Sequence, residues 1–272
     1  MTSPAEAESG VAALGEEAPP GATALVTGAS SGLGVAIAGE LARRGHALTL
    51  VARRADRLRD MAAQLSGEHG VRVEWIPMDL TDASERDRLP AEVEARGQVV
   101  DLLVNDAGIG TSGRFHELPV AKEIQLVRLN VETMVALCGA FLPGMVERGS
   151  GKVLNVASVS GFMPVPQQAT YSASKAFVLT FTEALTIDLH DTGVTATALC
   201  PGPVKTEFAG IIEGLPSALF LDPERVAREA IDGLEQGRRT VVPGALNKVN
   251  AVSGRYAPRP MFLPLARRFW PT

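Results

Sequence analysis

One stretch constrains this chain more than any other. The apolar run Ala24-Leu-Val-Thr27 turns through Gly28-Ala-Ser-Ser-Gly32-Leu-Gly34 straight into the amphipathic segment Gly32–Arg44. Glycines allow a tight reversal and let another molecule approach the backbone closely. The first amides of the following helix have no intrahelical acceptor, and their partial positive charge suits an anion. A strand, a glycine turn and a helix in this order form a phosphate cradle, as in dinucleotide-binding βαβ units. The spacing is Gly-x-x-x-Gly-x-Gly rather than the commoner Gly-x-Gly-x-x-Gly.

The rest of the chain repeats the alternation. Candidate strands are Ala22–Thr27, Ala47–Ala52, Arg72–Pro77, Asp101–Asn105, Lys152–Ala157, Val194–Cys200 and Thr240–Val242. Several are almost wholly apolar, as strands covered on both faces are. Between them lie the amphipathic segments Ala55–Leu65, Ala83–Ala95, Val131–Arg148, Tyr171–His190 and Pro223–Gln236, the last with Asp222 as N-cap and Pro223 at the first helical position. Strands alternating with helices predict right-handed βαβ units and an α/β fold: one doubly wound Rossmann-type domain with a mostly parallel seven-stranded sheet. Its expected span is 21–244. Residues 1–20 hold Glu6, Glu8, Glu16 and Glu17 without Lys or Arg or apolar periodicity, and read as a disordered acidic tail. Residues 245–272 read as a basic and apolar C-terminal extension.

Composition excludes several classes. Hydrophobic residues make up 46% of the 272, enough for a sizeable core, and the net charge of −5 argues against a general nucleic-acid binder. Two cysteines and four scattered histidines offer no disulfide framework and no metal site. The apolar run near Thr133–Val146 is short and holds Pro143, so a buried helix is expected rather than a membrane span. No signal-peptide pattern is visible, and a reducing cytoplasm is the default expectation.

Further motifs follow in order: Asp79-Leu80, Asn105-Asp-Ala-Gly108, Asn130, Ser158, Tyr171-Ser-Ala-Ser-Lys175 and Pro201-Gly202. With the glycine turn, they make the chain resemble the short-chain dehydrogenase/reductase family over about residues 22–243, in its classical NADP-preferring type. The resemblance implies cofactor contacts from Gly28, Ser30, Ser31, Gly32, Leu33 and Gly34. It also implies Asp79 and Leu80 at the adenine edge, and Asn105, Ala107 and Gly108 at the adenine ribose. Pro201, Gly202, Val204 and Thr206 belong at the nicotinamide carboxamide. The family more often has Asn where this chain has Asp106.

The second strand ends Leu50-Val51-Ala52-Arg53-Arg54. A carboxylate that binds a ribose diol, the mark of NAD, is missing there. Arg53 can instead pair with a 2′-phosphate, so NADP(H) is the expected cofactor and NAD(H) the alternative.

Tyr171 and Lys175 are four residues apart on an expected helix, which puts them on one face. A phenol alone is a poor acid–base group near neutrality. A neighbouring ammonium is expected to lower its pKa and fit it for proton transfer. The family resemblance implies that Tyr171 exchanges the proton, Lys175 binds the nicotinamide ribose and Ser158 holds the substrate oxygen. It further implies that Asn130 holds a water beside the lysine. The implied reaction moves hydride between the nicotinamide and a carbonyl or secondary alcohol.

Phe208–Leu221 is mostly apolar and is read as a substrate lid, which suits an apolar ketone or a 3-oxoacyl-like substrate. The alternative function is a non-catalytic dinucleotide-sensing protein on the same fold. A sensor has no need of Asn130, Ser158, Tyr171 and Lys175 together. A lyase or epimerase using bound nucleotide is a third class, disfavoured because no extended substrate domain is visible. After Glu235 no acid occurs while seven basic residues do, and the stretch Arg255–Trp270 mixes them with large apolar side chains. Packing on the domain or a neighbouring subunit, membrane-surface contact, and docking of an acidic carrier or coenzyme-A thioester all stay open. The prolines favour packing. The resemblance implies a homodimer or homotetramer.

Overall fold

The computed structural model describes residues 22–208 and 216–257, with 260, 263 and 264 beyond them. The expected acidic tail, lid residues 209–215 and most of the C-terminal stretch lie outside the described residues. Among those described, seven parallel strands form one sheet in the order β3-β2-β1-β4-β5-β6-β7. They are β1 (Thr23–Thr27), β2 (Ala47–Ala52), β3 (Val73–Pro77), β4 (Val100–Asn105), β5 (Gly151–Val156), β6 (Val194–Leu199) and β7 (Thr240–Val241). The expected α/β doubly wound fold is the observed one.

Alternation within each strand divides the core between two faces. Ala24 and Val26 of β1 pack with Ile37 and Leu41 of α1 (Gly32–Arg43) and with Ile231 of α8 (Pro223–Glu235). Leu25 packs on the other side with Leu89 of α4 (Leu89–Ala95), Leu137 of α6 (Thr133–Glu147) and Val178 of α7 (Ala169–Asp188). Strands covered on both faces carry no solvent-facing row, which is why their sequences read as nearly unbroken apolar runs.

Four helical stretches differ from expectation. Ala83–Ala95 divides into α3 (Ala83–Arg86) and α4, because Pro90 occupies the first turn of α4 and cannot donate into a continuous ladder. Val131–Arg148 is preceded by an unanticipated helix, α5 (Val120–Val127), joined to α6 by a π-turn over Arg128–Glu132. The combined run Val120–Glu147 is long and apolar enough to cross a membrane by length and composition. Yet Met134, Leu137, Cys138 and Met145 are buried in the domain core. The C-terminal extension opens with α9 (Ala245–Tyr256), also unanticipated, whose Asn247, Ala251 and Gly254 face the domain. The remaining helix, α2 (Ala55–His69), runs four residues beyond its expected end and is closed by Gly70 in the left-handed region.

The strand order reverses between β1 and β4. Crossovers on the two sides of that point leave in opposite directions, so a crevice opens at the carboxyl ends of these strands. The turns after β1, β2, β4, β5 and β6 all meet there.

Candidate active site

The glycine turn is built for an anion. Gly28 and Gly32 have φ of +73° and +59°, where a side chain is strained. Gly34 has ordinary φ but no room: an added Cβ would lie 2.6 Å from the Gly28 carbonyl oxygen. Ser31 precedes α1 in extended geometry without a capping side-chain bond, and no acid occupies the first turn. The Gly34 amide is met by the Asp106 carboxyl, and the Gly32 and Leu33 amides ahead of it suit a ligand anion. Leu33 anchors the turn by packing on the core.

Arg53, the residue expected to meet a 2′-phosphate, is exposed. Arg54 beside it reaches the turn, donating to the Ser30 carbonyl at 3.0 Å and to Ser30 Oγ at 3.3 Å. Glu207 bridges Arg57 at 2.8 Å and Arg54 at 3.6 Å. Sequence reasoning passed over Arg57 and Glu207. Their pairing spans 150 positions and leaves no local pattern.

The turn after β4 forms the opposite wall. Thr27 Oγ1 accepts from the amides of Asp106 and Ala107, each at 3.1 Å, and fixes this turn to β1. Asn105 departs from its expected place at a ribose. Its Nδ2 donates to Asn155 Oδ1 at 2.8 Å, and Asn155 donates to Thr182 Oγ1 at 2.9 Å, so the side chain ties β4 to β5 and α7 inside the core. Asp79 Oδ1 accepts from the amide and hydroxyl of Thr81, at 3.0 and 2.8 Å, while Leu80 beside it is buried. The N-cap of α3 is Asp82.

Asp106 keeps some surface toward the crevice, yet protein crowds its carboxyl, and loss of water pushes its pKa up to about 7. The folded state therefore holds this proton more tightly than the unfolded chain does. Stability from it is full below the unfolded pKa near 3.8 and is lost as pH rises through about 7. Asp106→Asn is expected to raise stability relative to wild type by about 2 kcal/mol more at pH 8 than at pH 5.5. Thermal melts at the two pH values check this; a constant difference contradicts it.

Tyr171 and Lys175 share one face of α7, with Nζ 5.8 Å from the phenol ring centre. Lys175 is buried and donates to the Val156 carbonyl at 2.8 Å. Burial pulls its pKa down to about 8, against the pull of Asp106. The expected lowering at Tyr171 is corrected. Burial pushes its pKa up to about 12, and only the Ser158 hydroxyl works the other way. Lost solvation outweighs the Ser158 hydrogen bond, and the Asp106 carboxyl adds to the raise. Ser158 closes β5 and caps the next turn by accepting from the Ser160 amide at 3.1 Å.

Asn130 lies in the π-turn beside Lys175, with both ends of its side chain engaged. Oδ1 accepts from the Ile109 amide at 2.9 Å; Nδ2 donates to the Ile109 carbonyl at 2.9 Å and to Ser174 Oγ at 3.1 Å. It pins the β4 turn against α7. A cavity of about 10 Å³ among Asn105, Asn130, Thr133 and Lys175 has about the room one water needs. Asn105 Oδ1, on its wall, has no partner among the described residues. Gly108 overlooks the pair: a Cβ there would lie 3.2 Å from Asn130 Oδ1 and 3.5 Å from Lys175 Nζ.

The segment after β6 closes the crevice from above. The Pro201 carbonyl accepts from the Val159 amide, and Gly202 packs against Asn247 of α9. Val204 bridges Leu221, which ties the far end of the expected lid to this segment. Thr206 lies over Gly32, and Phe208 packs on Tyr171 with ring centres 5.7 Å apart.

Residues 22–213 match the family model described as short chain dehydrogenase. The chain belongs to the short-chain dehydrogenase family. It is 35% identical over 246 residues to an uncharacterized oxidoreductase of Myxococcus xanthus, covering 90% of this chain and 96% of that one. It is 34% identical over 232 residues to a very-long-chain 3-oxoacyl-CoA reductase of Anas platyrhynchos, covering 83% and 73%. Among solved structures, a short-chain dehydrogenase from Sphingobium yanoikuyae in complex with NADPH superposes with a TM-score of 0.78 at 33% identity, covering 86% and 92%.

The crevice of this short-chain dehydrogenase fits a nicotinamide dinucleotide. A Cβ on Gly34 would fill the cradle, Ser31 leaves the start of α1 without a side-chain cap, and the Tyr171 and Lys175 side chains lie at the far end of the same cleft. Gly28, Ser30, Ser31 and Gly32 would hold the phosphates, and Val204 and Thr206 would flank the nicotinamide.

Proposed function

We propose that this protein is an NADP(H)-dependent oxidoreductase acting on a carbonyl or secondary alcohol, with an apolar ketone or 3-oxoacyl-like substrate. The placement of Tyr171 between the Ser158 hydroxyl and Lys175, at one end of an anion-binding cleft, carries this reading. The bound nicotinamide supplies or accepts the hydride. Ser158 orients the substrate oxygen toward the phenol. Tyr171, protonated at neutral pH, donates to that oxygen during reduction. Lys175, fixed by Val156, presents positive charge beneath the cleft.

Two observations support NADP(H) over NAD(H): Ala52 stands where a diol-binding acid is needed, and Arg54 lies on Ser30. The NADPH complex of the Sphingobium relative agrees with it. Titration with NADPH and NADH tests this directly; tighter NADH binding overturns it. Arg54→Ala is expected to weaken NADPH about tenfold or more and NADH little, since a charged hydrogen bond contributes roughly 1.5–3 kcal/mol. Equal loss for both nucleotides removes the 2′-phosphate role.

Phe208 against Tyr171 and the 3-oxoacyl-CoA reductase relative support an apolar substrate. Medium-chain ketones and 3-oxoacyl thioesters should turn over faster than polar sugars; the reverse order overturns it. We also read the protein as a cytoplasmic homo-oligomer. Both cysteines are free and buried, and Val120, Ile124 and Val127 form an exposed apolar face on α5. A monomer in light scattering removes the oligomer.

A further inference from the structure

Asp106 lies between the glycine turn and the lysine, and no step above uses it. Its Oδ2 is 3.1 Å from the point a Cβ would take on Gly28 and 2.8 Å from the corresponding point on Gly34. The carboxyl thus forms the underside of the turn whose other side faces the pyrophosphate. The titratable groups facing it are Lys175 and Tyr171 of α7; from α1 it meets the Gly34 amide, and from the β1 turn only Gly28. We propose that a dinucleotide binding at the glycine turn drives a proton onto Asp106, so that this carboxyl is neutral in the cofactor complex and acts as a hydrogen-bond donor to the turn.

The inference rests on the dinucleotide reading above. A diphosphate brings negative charge to the far side of a thin glycine backbone, and like charges in a poorly solvated site disfavour each other. The cofactor also covers the crevice surface through which Asp106 still meets water. Both effects favour the neutral acid. The acid is already poised for this, because burial holds its pKa near 7. A surface carboxylate would need far more drive to take up a proton near neutrality. The Gly28 carbonyl oxygen and Asp106 Oδ2 border the same point, the place of a Cβ on Gly34, at 2.6 and 2.8 Å, so the turn offers a protonated Asp106 an acceptor on its own side. An ionised carboxyl accepts from the Gly34 amide and has no proton to offer that oxygen. An asparagine here would be neutral at every pH, so the proton linkage belongs to the aspartate.

Lys175 is the competing source of proton uptake, since a diphosphate also favours its charged form. The two separate by pH. At pH 7 the lysine, with its pKa near 8, is already about nine-tenths protonated, whereas Asp106 is about half ionised.

The test is calorimetry of NADPH binding at pH 7 in two buffers of different ionisation enthalpy, which counts protons taken up. Uptake approaching about half a proton per site is expected for wild type, and about 0.1 or less for Asp106→Asn. The difference between the proteins cancels proton changes on the nucleotide. At pH 5.5 both should fall close to zero. If the variant does not fold, the infrared difference spectrum of wild type on adding NADPH decides. A new C=O stretch of a protonated carboxyl is expected, and lysine gives none. Binding without uptake, uptake retained in the variant, or no carboxyl band overturns the inference. Failure of both NADPH and NADH to bind overturns the dinucleotide reading and takes this inference with it.

Discussion

Replacing Tyr171 by phenylalanine is expected to lower turnover about a thousandfold or more, while NADPH affinity changes by no more than a few-fold. Positioned acid–base groups contribute roughly 10²–10⁴ to rate, and no other hydroxyl of suitable reach replaces the phenol. Ser158 lies nearby, but its hydroxyl accepts from the Ser160 amide and, in the proposed function, is the group that holds the substrate oxygen. The change removes one oxygen and leaves the ring against Phe208. Thermal stability and cofactor binding therefore report an intact fold. Burial that pushes Tyr171 up to about 12 also fixes a direction. The protonated phenol is ready for carbonyl reduction across neutral pH. Alcohol oxidation needs the phenolate and should quicken as pH rises. Steady-state rates in both directions check this. A variant keeping a tenth of wild-type turnover would rule out the assignment.

Gly34→Ala should be the most damaging single-methyl change in the cofactor site. The new Cβ would fall 2.6 Å from the Gly28 carbonyl oxygen, 2.9 Å from its carbon and 2.8 Å from Asp106 Oδ2. Two of these are backbone atoms and cannot turn away. The turn must open and carry the first amides of α1 with it. Overpacking of this kind costs roughly 1–3 kcal/mol, and a loss at the upper end is about a hundredfold in NADPH affinity. Gly39 in the same helix is the control. An added Cβ there meets nothing within 4 Å, so Gly39→Ala should leave binding intact and stabilise by about 0.5–1 kcal/mol. Equal NADPH affinity in the two variants would show that the turn does not press on the cofactor.

Strands and most helices were legible because burial imposes a period on the chain. β2 and the start of α1 coincide with the apolar runs read from sequence. α5 was not, since eight residues entered from Pro119 without a side-chain cap carry little local signal. The break between α3 and α4 was legible in principle at Pro90 and was overlooked.

The sequence alone determined the α/β fold, the glycine turn, and the shared helical face of Tyr171 and Lys175. Each depends on local spacing: an apolar period, glycines before a helix, two residues four apart. Tertiary structure alone decided which atoms those residues face. It turned Asn105 and Asn130 into the bolts between β4, β5 and α7, placed Arg54 on the glycine turn, and set Glu207 across it. It also reversed the sign at Tyr171 and raised Asp106. A pKa follows from lost solvation and from the charges nearby, and neither quantity exists until distant segments pack together.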